Sequence, residues 1–185
     1  MPEIEIRPAV VQDIETLIAL DHNYISDYVW QMEMKHTEAG ANEETAVGVG
    51  FRQIRLPRSV RVEYPRHPSA LAETWKDYSG LLVAVFEGEP VGYIALMLGI
   101  APLAAWVTDI AVKRRLRRQG IGTGLVLSAQ VWGLQHGCRN LILELQSKNY
   151  PGIQLAYKLG FDFCGYNDRY FTNHDIALFF AKALR

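Results

Sequence analysis

Cysteine is scarce in this chain of 185 residues. Cys138 and Cys164 are too few and too far apart to suggest a disulfide framework or a cysteine-rich metal centre. The five histidines, His22, His36, His67, His136 and His174, show no metal-ligand spacing, so no metal is expected. Charge of one sign is also missing: a net charge of -1 gives no global attraction to nucleic acid or to an anionic membrane. The opening MPEIEIRPAV lacks the basic start and apolar run of a secretory signal, and the expected location is cytoplasmic. One uncharged run, Val91 to Val107, approaches the lower limit of a membrane span, but Gly92, Gly99 and Pro102 divide it into two strands about a turn. There is no repeat, low-complexity tract or linker, which leaves one domain over residues 1–185.

A hydrophobic content of 49% argues against disorder and suffices for a sizeable core. Ile4 to Arg7 forms a strand stopped by Pro8, and Val10, Ile14, Leu17 and Ile18 give a helical stripe. Asp21 to His36 is expected to continue as a second helix, and Phe51 to Tyr64 as an edge strand or two short ones around Pro57. Leu81 to Phe86 and Val91 to Leu98 make a hairpin about Glu87-Gly88-Glu89-Pro90. Ala104 to Val112 is a strand, Gly122 to Gln135 a helix, Leu141 to Gln146 a strand and Tyr150 to Leu159 a helix. Phe161 to Tyr166 and Asp175 to Lys182 close the chain as strands. Strands interleaved with helices in this order give an α+β fold.

The sharpest local signal is VTDIAVKRRLRRQGIGTG, Val107 to Gly124, in which a strand runs into a basic loop and then into glycines that open a helix. Unpaired N–H groups and the positive end of the helix dipole make such a start a cradle for phosphate. Lys113, Arg114, Arg115, Arg117 and Arg118 add countercharge. A Walker loop is excluded because Gly124 is followed by Leu125 and Val126 and not by a Lys-Ser/Thr pair. The dinucleotide fingerprint needs glycine at position 125 and a shorter loop after the strand, although Glu144 falls near the distance of its ribose-binding acid. The pattern present is Arg117-x-x-Gly120-x-Gly122.

In this pattern the chain resembles the GCN5-related N-acetyltransferase (GNAT) superfamily, whose pyrophosphate loop is Arg/Gln-x-x-Gly-x-Gly/Ala. LILELQSKNYPGIQLAYKLGF, Leu141 to Phe161, is similar to the family's fifth strand, asparagine, fourth helix and Tyr-x-x-Gly-Phe ending, and IEIRPAVVQDIETLIAL to its first strand and helix. The series D-I-A-V, L-E-L-Q, Asn149, Tyr157 and Gly160-Phe161 is most similar to the streptothricin acetyltransferase group, with Tyr170 and Asn173 matching its C-terminal part. Arg114 stands where the family often has proline. The resemblance implies a mixed, mostly antiparallel twisted sheet flanked by helices and splayed between the family's fourth and fifth strands. It implies acetyl-CoA as co-substrate, its pantetheine arm pairing with the strand backbone at Ile110, Ala111 and Val112. Its pyrophosphate then lies on Arg117, Arg118, Gln119, Gly120, Ile121, Gly122 and Thr123.

An amine attacking a thioester must lose a proton, the oxyanion needs donors, and the leaving thiolate takes a proton. By resemblance the donors are backbone N–H groups near Ile110 to Val112, and Tyr157 is the general acid, with packing as its ordinary alternative. Asn149 is a cofactor contact, a helix N-cap, or both. Two carboxylates compete as general base. Asp109 lies among apolar neighbours in its strand, where an acid is costly to bury without a partner or a task. Glu144 lies in the next strand, with Gln146 on the same face. Both could instead be partly solvated or hydrogen-bonded to backbone.

The segment Asp21 to Tyr78, with Asp21, Tyr24, Asp27, Tyr28, Trp30, Glu33, Tyr64 and Trp75, suits a cationic, partly apolar amine. Streptothricin carries a β-lysine amine, so the resemblance implies an acidic acceptor pocket. The expected partner is a small-molecule amine or a peptide acceptor, with no nucleic acid or membrane, and an oligomer is compatible with the sequence. A protein N-acetyltransferase and a noncatalytic acyl-CoA sensor share the same cradle and remain open.

Overall fold

The computed structural model describes residues 4–37 and 46–185. Residues 38–45, part of the segment expected to select the acceptor, lie outside the described residues, as do the first three of the stretch expected to hold no secretory signal. Strand β1 (Glu5–Pro8) leads to helix α1 (Val11–Ile18), then to β2 (Tyr24–Thr37) and β3 (Ala46–Val62). A 3-10 turn at Pro68–Ala70 and the short α2 (Leu71–Thr74) precede β4 (Gly80–Phe86), β5 (Glu89–Met97) and β6 (Ala104–Val112). A second 3-10 turn at Arg114–Leu116 is followed by α3 (Ile121–Gln135), β7 (Asn140–Gln146), α4 (Tyr150–Lys158), β8 (Asp162–Asn167) and β9 (Ala177–Ala183).

Seven strands form one sheet in the order β1-β4-β5-β6-β7-β9-β8. Its neighbours are antiparallel except β6 and β7, which run parallel because α3 carries the chain back between them. One face packs against α3 and α4 through Leu125, Val126, Ala129, Ile153 and Ala156, with Phe161 and Phe180 beside them. The other packs against α1 and α2 through Ile14, Leu17, Leu20 and Leu71. The β4–β5 hairpin turns at Glu87 (φ 51°) and Gly88 (φ 79°), both left-handed, as its two-residue turn requires.

The pairing of β6 with β7 covers only Ala104 to Val107 against Asn140 to Leu143. Beyond that point the two strands part, which is the expected splay. It falls at this chain's sixth and seventh strands because β2 and β3 add two strands ahead of the family's usual count.

The expectation of a second helix over Asp21 to His36 is corrected: Tyr24–Thr37 is a strand, paired antiparallel with the 17-residue β3. Its aromatic and β-branched side chains fit a pleated surface, and Tyr24, Ser26, Tyr28, Trp30 and Met32 turn inward while Ile25, Asp27, Gln31 and Glu33 are exposed, a period of two. The expected edge strand at Phe51 to Tyr64 is thus one long strand of a separate two-stranded ribbon, with a register shift opposite Ser26–Tyr28.

The base of this ribbon crosses the mouth of the splay. On the β7 side, Tyr24 Oη–H donates to Gln146 Oε1 at 2.7 Å and the Trp30 N–H to the Ser147 carbonyl at 2.9 Å. Further out, Trp30 packs against Phe51, Tyr157, Phe163 and Phe180 at centroid distances of 5.9–6.4 Å.

Candidate active site

One extra residue in β6 sets the face on which Asp109 lies. Leu96 pairs with Val107 and the next residue back, Ala95, with Asp109, so Thr108 is a β-bulge at the point where β6 leaves β7. A bulge shifts alternation by one. Before it, Ala105 and Val107 face α3 and α4; after it, Ala111 faces α1 and α2, while Ile110 and Val112 turn to the first core. Trp106 and Asp109 therefore share the α1/α2 face, although three residues apart. Glu144 and Gln146 of β7 lie on that face too, since Leu143 and Leu145 occupy the opposite core.

Glu144, 6% exposed, is fully occupied. Trp106 Nε1–H donates to its Oε2 at 2.8 Å, Tyr170 Oη–H to the same oxygen at 2.7 Å, and Arg66 Nη2 to its Oε1. Asp109, 4% exposed, has only long contacts, from Arg66 Nη1 to Oδ1 at 3.4 Å and Tyr78 Oη to Oδ2 at 3.4 Å. Burial, reinforced by the charge of Glu144, pushes the Asp109 carboxyl up to about 7. Burial and the bond to Glu144 push Tyr170 up to about 12. Asp109 lines a cavity of about 560 Å³ with Tyr64, Arg66, Tyr78, Tyr93 and Asp77.

Gln146 is spent on structure: its Nε2 donates to Asp175 Oδ2 at 2.6 Å and to the Glu63 carbonyl at 3.2 Å.

On the other side of the splay, Gly120 caps α3 with φ 90° and no side chain caps the helix start. Arg118 is also left-handed, at φ 66°. A Cβ at Gly120 would meet nothing within 4 Å, and one at Gly122 only Leu155 Cδ2 at 3.5 Å, so open space lies over the first-turn N–H groups of Gly120, Ile121, Gly122 and Thr123. Such a start fits a pyrophosphate. Beyond Val107, β6 has no strand on its β7 side, so Ile110, Ala111 and Val112 form an edge that an amide-containing arm can pair with.

The basic loop is less free than its composition implies. Arg117 donates from Nε to the Val112 carbonyl at 2.8 Å, from Nη1 to the Asn23 carbonyl at 2.8 Å, and from Nη2 to the Asp21 carbonyl. Its guanidinium therefore ties the loop to the base of the ribbon. Lys113 pairs with Glu89 at 2.9 Å, while Arg118 and Gln119 stay exposed at the rim.

Asn149 does cap α4, its Oδ1 accepting from the Gly152 N–H at 2.9 Å, which leaves its Nδ2 for a further partner. Tyr157 projects from α4, 43% exposed, with its ring against Phe180 at 5.4 Å and Trp30 at 5.9 Å. Burial and the nearby Asp162 charge raise its phenol, which stays protonated throughout the neutral range.

Sequence reasoning missed Arg66 and Trp106. A buried carboxylate pair demands a cation and donors, but with Lys and Arg totalling 19 nothing in the pattern selects Arg66. Tyr64 and Tyr78 were within reach as members of the acceptor segment, and Tyr170 through the resemblance.

A split sheet, an uncapped glycine start at the split and a carboxylate-bearing cavity beside it define a coenzyme-A-dependent acyltransferase. Residues 50–161 match the family model described as the acetyltransferase (GNAT) family, and the chain belongs to that family, whose acyl donor is acetyl-CoA. It is an N-acetyltransferase.

It is 25% identical over 166 residues to the streptothricin acetyltransferase of Streptomyces lavendulae, covering 87% of this chain and 82% of that one. To an N-alpha-acetyltransferase of Sulfurisphaera tokodaii it is 32% identical over 126 residues, covering 61% and 71%. Its fold matches the acetyl coenzyme A complex of a Bacillus anthracis protein named as a streptothricin acetyltransferase, with a TM-score of 0.74 and 18% identity over 98% of this chain and 99% of that one. No helix among the described residues is long and apolar enough to cross a membrane.

Proposed function

We propose that this enzyme, acting as a single domain in the cytoplasm, transfers acetyl to a primary amine by direct attack in a ternary complex, and that the acceptor is a small cationic amine of the streptothricin-like kind. The observation that carries this reading is the cavity of about 560 Å³ on the acceptor face, where Asp109 stands among Tyr64, Tyr78 and Tyr93 with Asp77 nearby. Tyrosine faces and carboxylates suit a cation of limited size.

Asp109 is the proton acceptor in this reading. A base that titrates near 7 is half available at neutral pH and lies where general-base catalysis is efficient. Glu144 carries charge and holds geometry, since both its oxygens already accept hydrogen bonds. The α3 start, with Arg118, Gln119, Gly120, Ile121, Gly122 and Thr123, holds the pyrophosphate of acetyl-CoA, which supplies an activated thioester when bound. The β6 edge at Ile110 to Val112 aligns the donor and offers N–H groups to the carbonyl oxygen. Tyr157 holds the proton for the departing thiolate, its phenol fully protonated at neutral pH.

The N-alpha-acetyltransferase relative favours a second reading, in which the acceptor is a protein N-terminus. The test is thiol release from acetyl-CoA against streptothricin, β-lysine, polyamines, aminoglycosides and peptides with free N-termini. Release with the small amines and not the peptides is expected. Release with peptides alone overturns the small-amine reading, and acetyl-CoA binding with silence across the panel overturns catalysis in favour of a sensor.

A further inference from the structure

We propose that Arg66 is a positioning residue for the transfer: one guanidinium, shared by the Thr108 carbonyl, Asp109 and Glu144, makes two neighbouring buried carboxylates compatible and leaves Asp109 as the one whose oxygens face the acceptor. The inference rests on the reading of Asp109 as proton acceptor. Arg66 comes from the connection between β3 and α2, outside the sheet that carries both carboxylates. Its Nη1 donates to the Thr108 carbonyl at 3.0 Å and reaches Asp109 Oδ1 at 3.4 Å, its Nη2 donates to Glu144 Oε1, and its guanidinium carbon lies 5.4 Å from the centre of the Phe171 ring.

The first anchor is the carbonyl of the bulge residue, so the fork is indexed to the one backbone irregularity that turns Asp109 toward the cavity. The sharing is unequal. Glu144 has Arg66, Trp106 and Tyr170 as close donors, whereas Asp109 has only the far side of the guanidinium and Tyr78. A cation committed this way stabilises the ionised form of Glu144 and only weakly that of Asp109.

Other titratable groups surround Asp109. Tyr93 of β5 is raised by burial, Tyr78 precedes β4, and Tyr170 before β9 is held by Glu144. Asp77 and His67 also line the cavity. His22, against Tyr93 at 3.1 Å, is kept neutral by burial. Arg66 is thus the cation in contact with both carboxylates.

The test follows the titration of Asp109 by carboxyl ¹³C NMR, assigned with Asp109→Asn, in wild type, Arg66→Gln and Arg66→Lys. Melting temperature and acetyl-CoA affinity are measured for each, with pH–rate profiles for the best acceptor. Arg66→Gln is expected to move the Asp109 titration upward by up to about one unit, carrying the acid limb of kcat/KM with it, while acetyl-CoA affinity holds. Arg66→Lys is expected to restore the titration and leave kcat about tenfold low, since an ammonium replaces the charge and not the fork. A merely structural arginine would lower stability and rate without moving the titration, and an unmoved titration in folded Arg66→Gln overturns the inference. If Asp109→Asn itself retains the acid limb, the proton-acceptor reading fails, whatever Arg66 does.

Discussion

Replacing Asp109 by Asn is expected to cost activity and to gain stability, with the gain visible only above a certain pH. The folded carboxyl titrates at about 7 against an ordinary value of 3.8, so burial penalises folding of the ionised form at alkaline pH by the difference of about three. At 1.36 kcal/mol per unit the ceiling is about 4 kcal/mol. The sign follows from burial. With its folded value raised, Asp109 contributes most to stability below 3.8, and that contribution is lost as pH rises through about 7. The Asn side chain has no such dependence. If half the ceiling is realised, the variant should melt about 4–8 °C above wild type at alkaline pH. The difference should shrink between the folded and unfolded values and vanish in acid. Turnover should fall about 100-fold or more, and the acid limb of the rate profile should disappear. Differential scanning calorimetry across pH, paired with the thiol-release assay, measures both. A melting difference independent of pH would refute the claim that Asp109 is a buried, titrating acid, and retained turnover would refute its role as base.

Two further outcomes are expected at the cofactor side. Gly122→Val should abolish acetyl-CoA binding in calorimetric titration while the protein stays folded, because the added carbons point into open space bounded by Leu155 Cδ2; unchanged affinity would remove the phosphate assignment. Tyr157→Phe should lower kcat by about tenfold to a hundredfold with acetyl-CoA affinity unchanged, since among the described residues the phenol has no hydrogen-bond partner to lose; equal turnover would make Tyr157 a packing residue.

The strand, glycine turn and helices from β6 to α4 were legible because they are written in local patterns. Strand, glycines and helix follow one another in sequence, and each of Gly120, Gly122 and Asn149 acts through its own backbone or its immediate neighbours. The acceptor half was not. Tyr24–Thr37 mixes helix-tolerant residues with a period of two that only pairing with β3 makes decisive. Arg66 reaches carboxylates 43 and 78 positions away, a distance at which no spacing rule operates. Arg117 shows the converse: the loop motif found it, but only tertiary structure shows that its charge serves three carbonyls.

The bulge at Thr108 has a consequence for how this site tolerates change. The Thr108 hydroxyl oxygen is buried without a hydrogen-bond partner, so its side chain contributes no polar contact to the site. What the site takes from this position is its main chain, whose carbonyl accepts from Arg66 Nη1 at 3.0 Å. Thr108→Val should pass unnoticed, whereas deletion of the residue would straighten β6 with Asp109 still on the α1/α2 face and remove the carbonyl on which Arg66 is anchored. Position 108 therefore serves the site as main chain, an added carbonyl that any side chain fitting the bulge can carry.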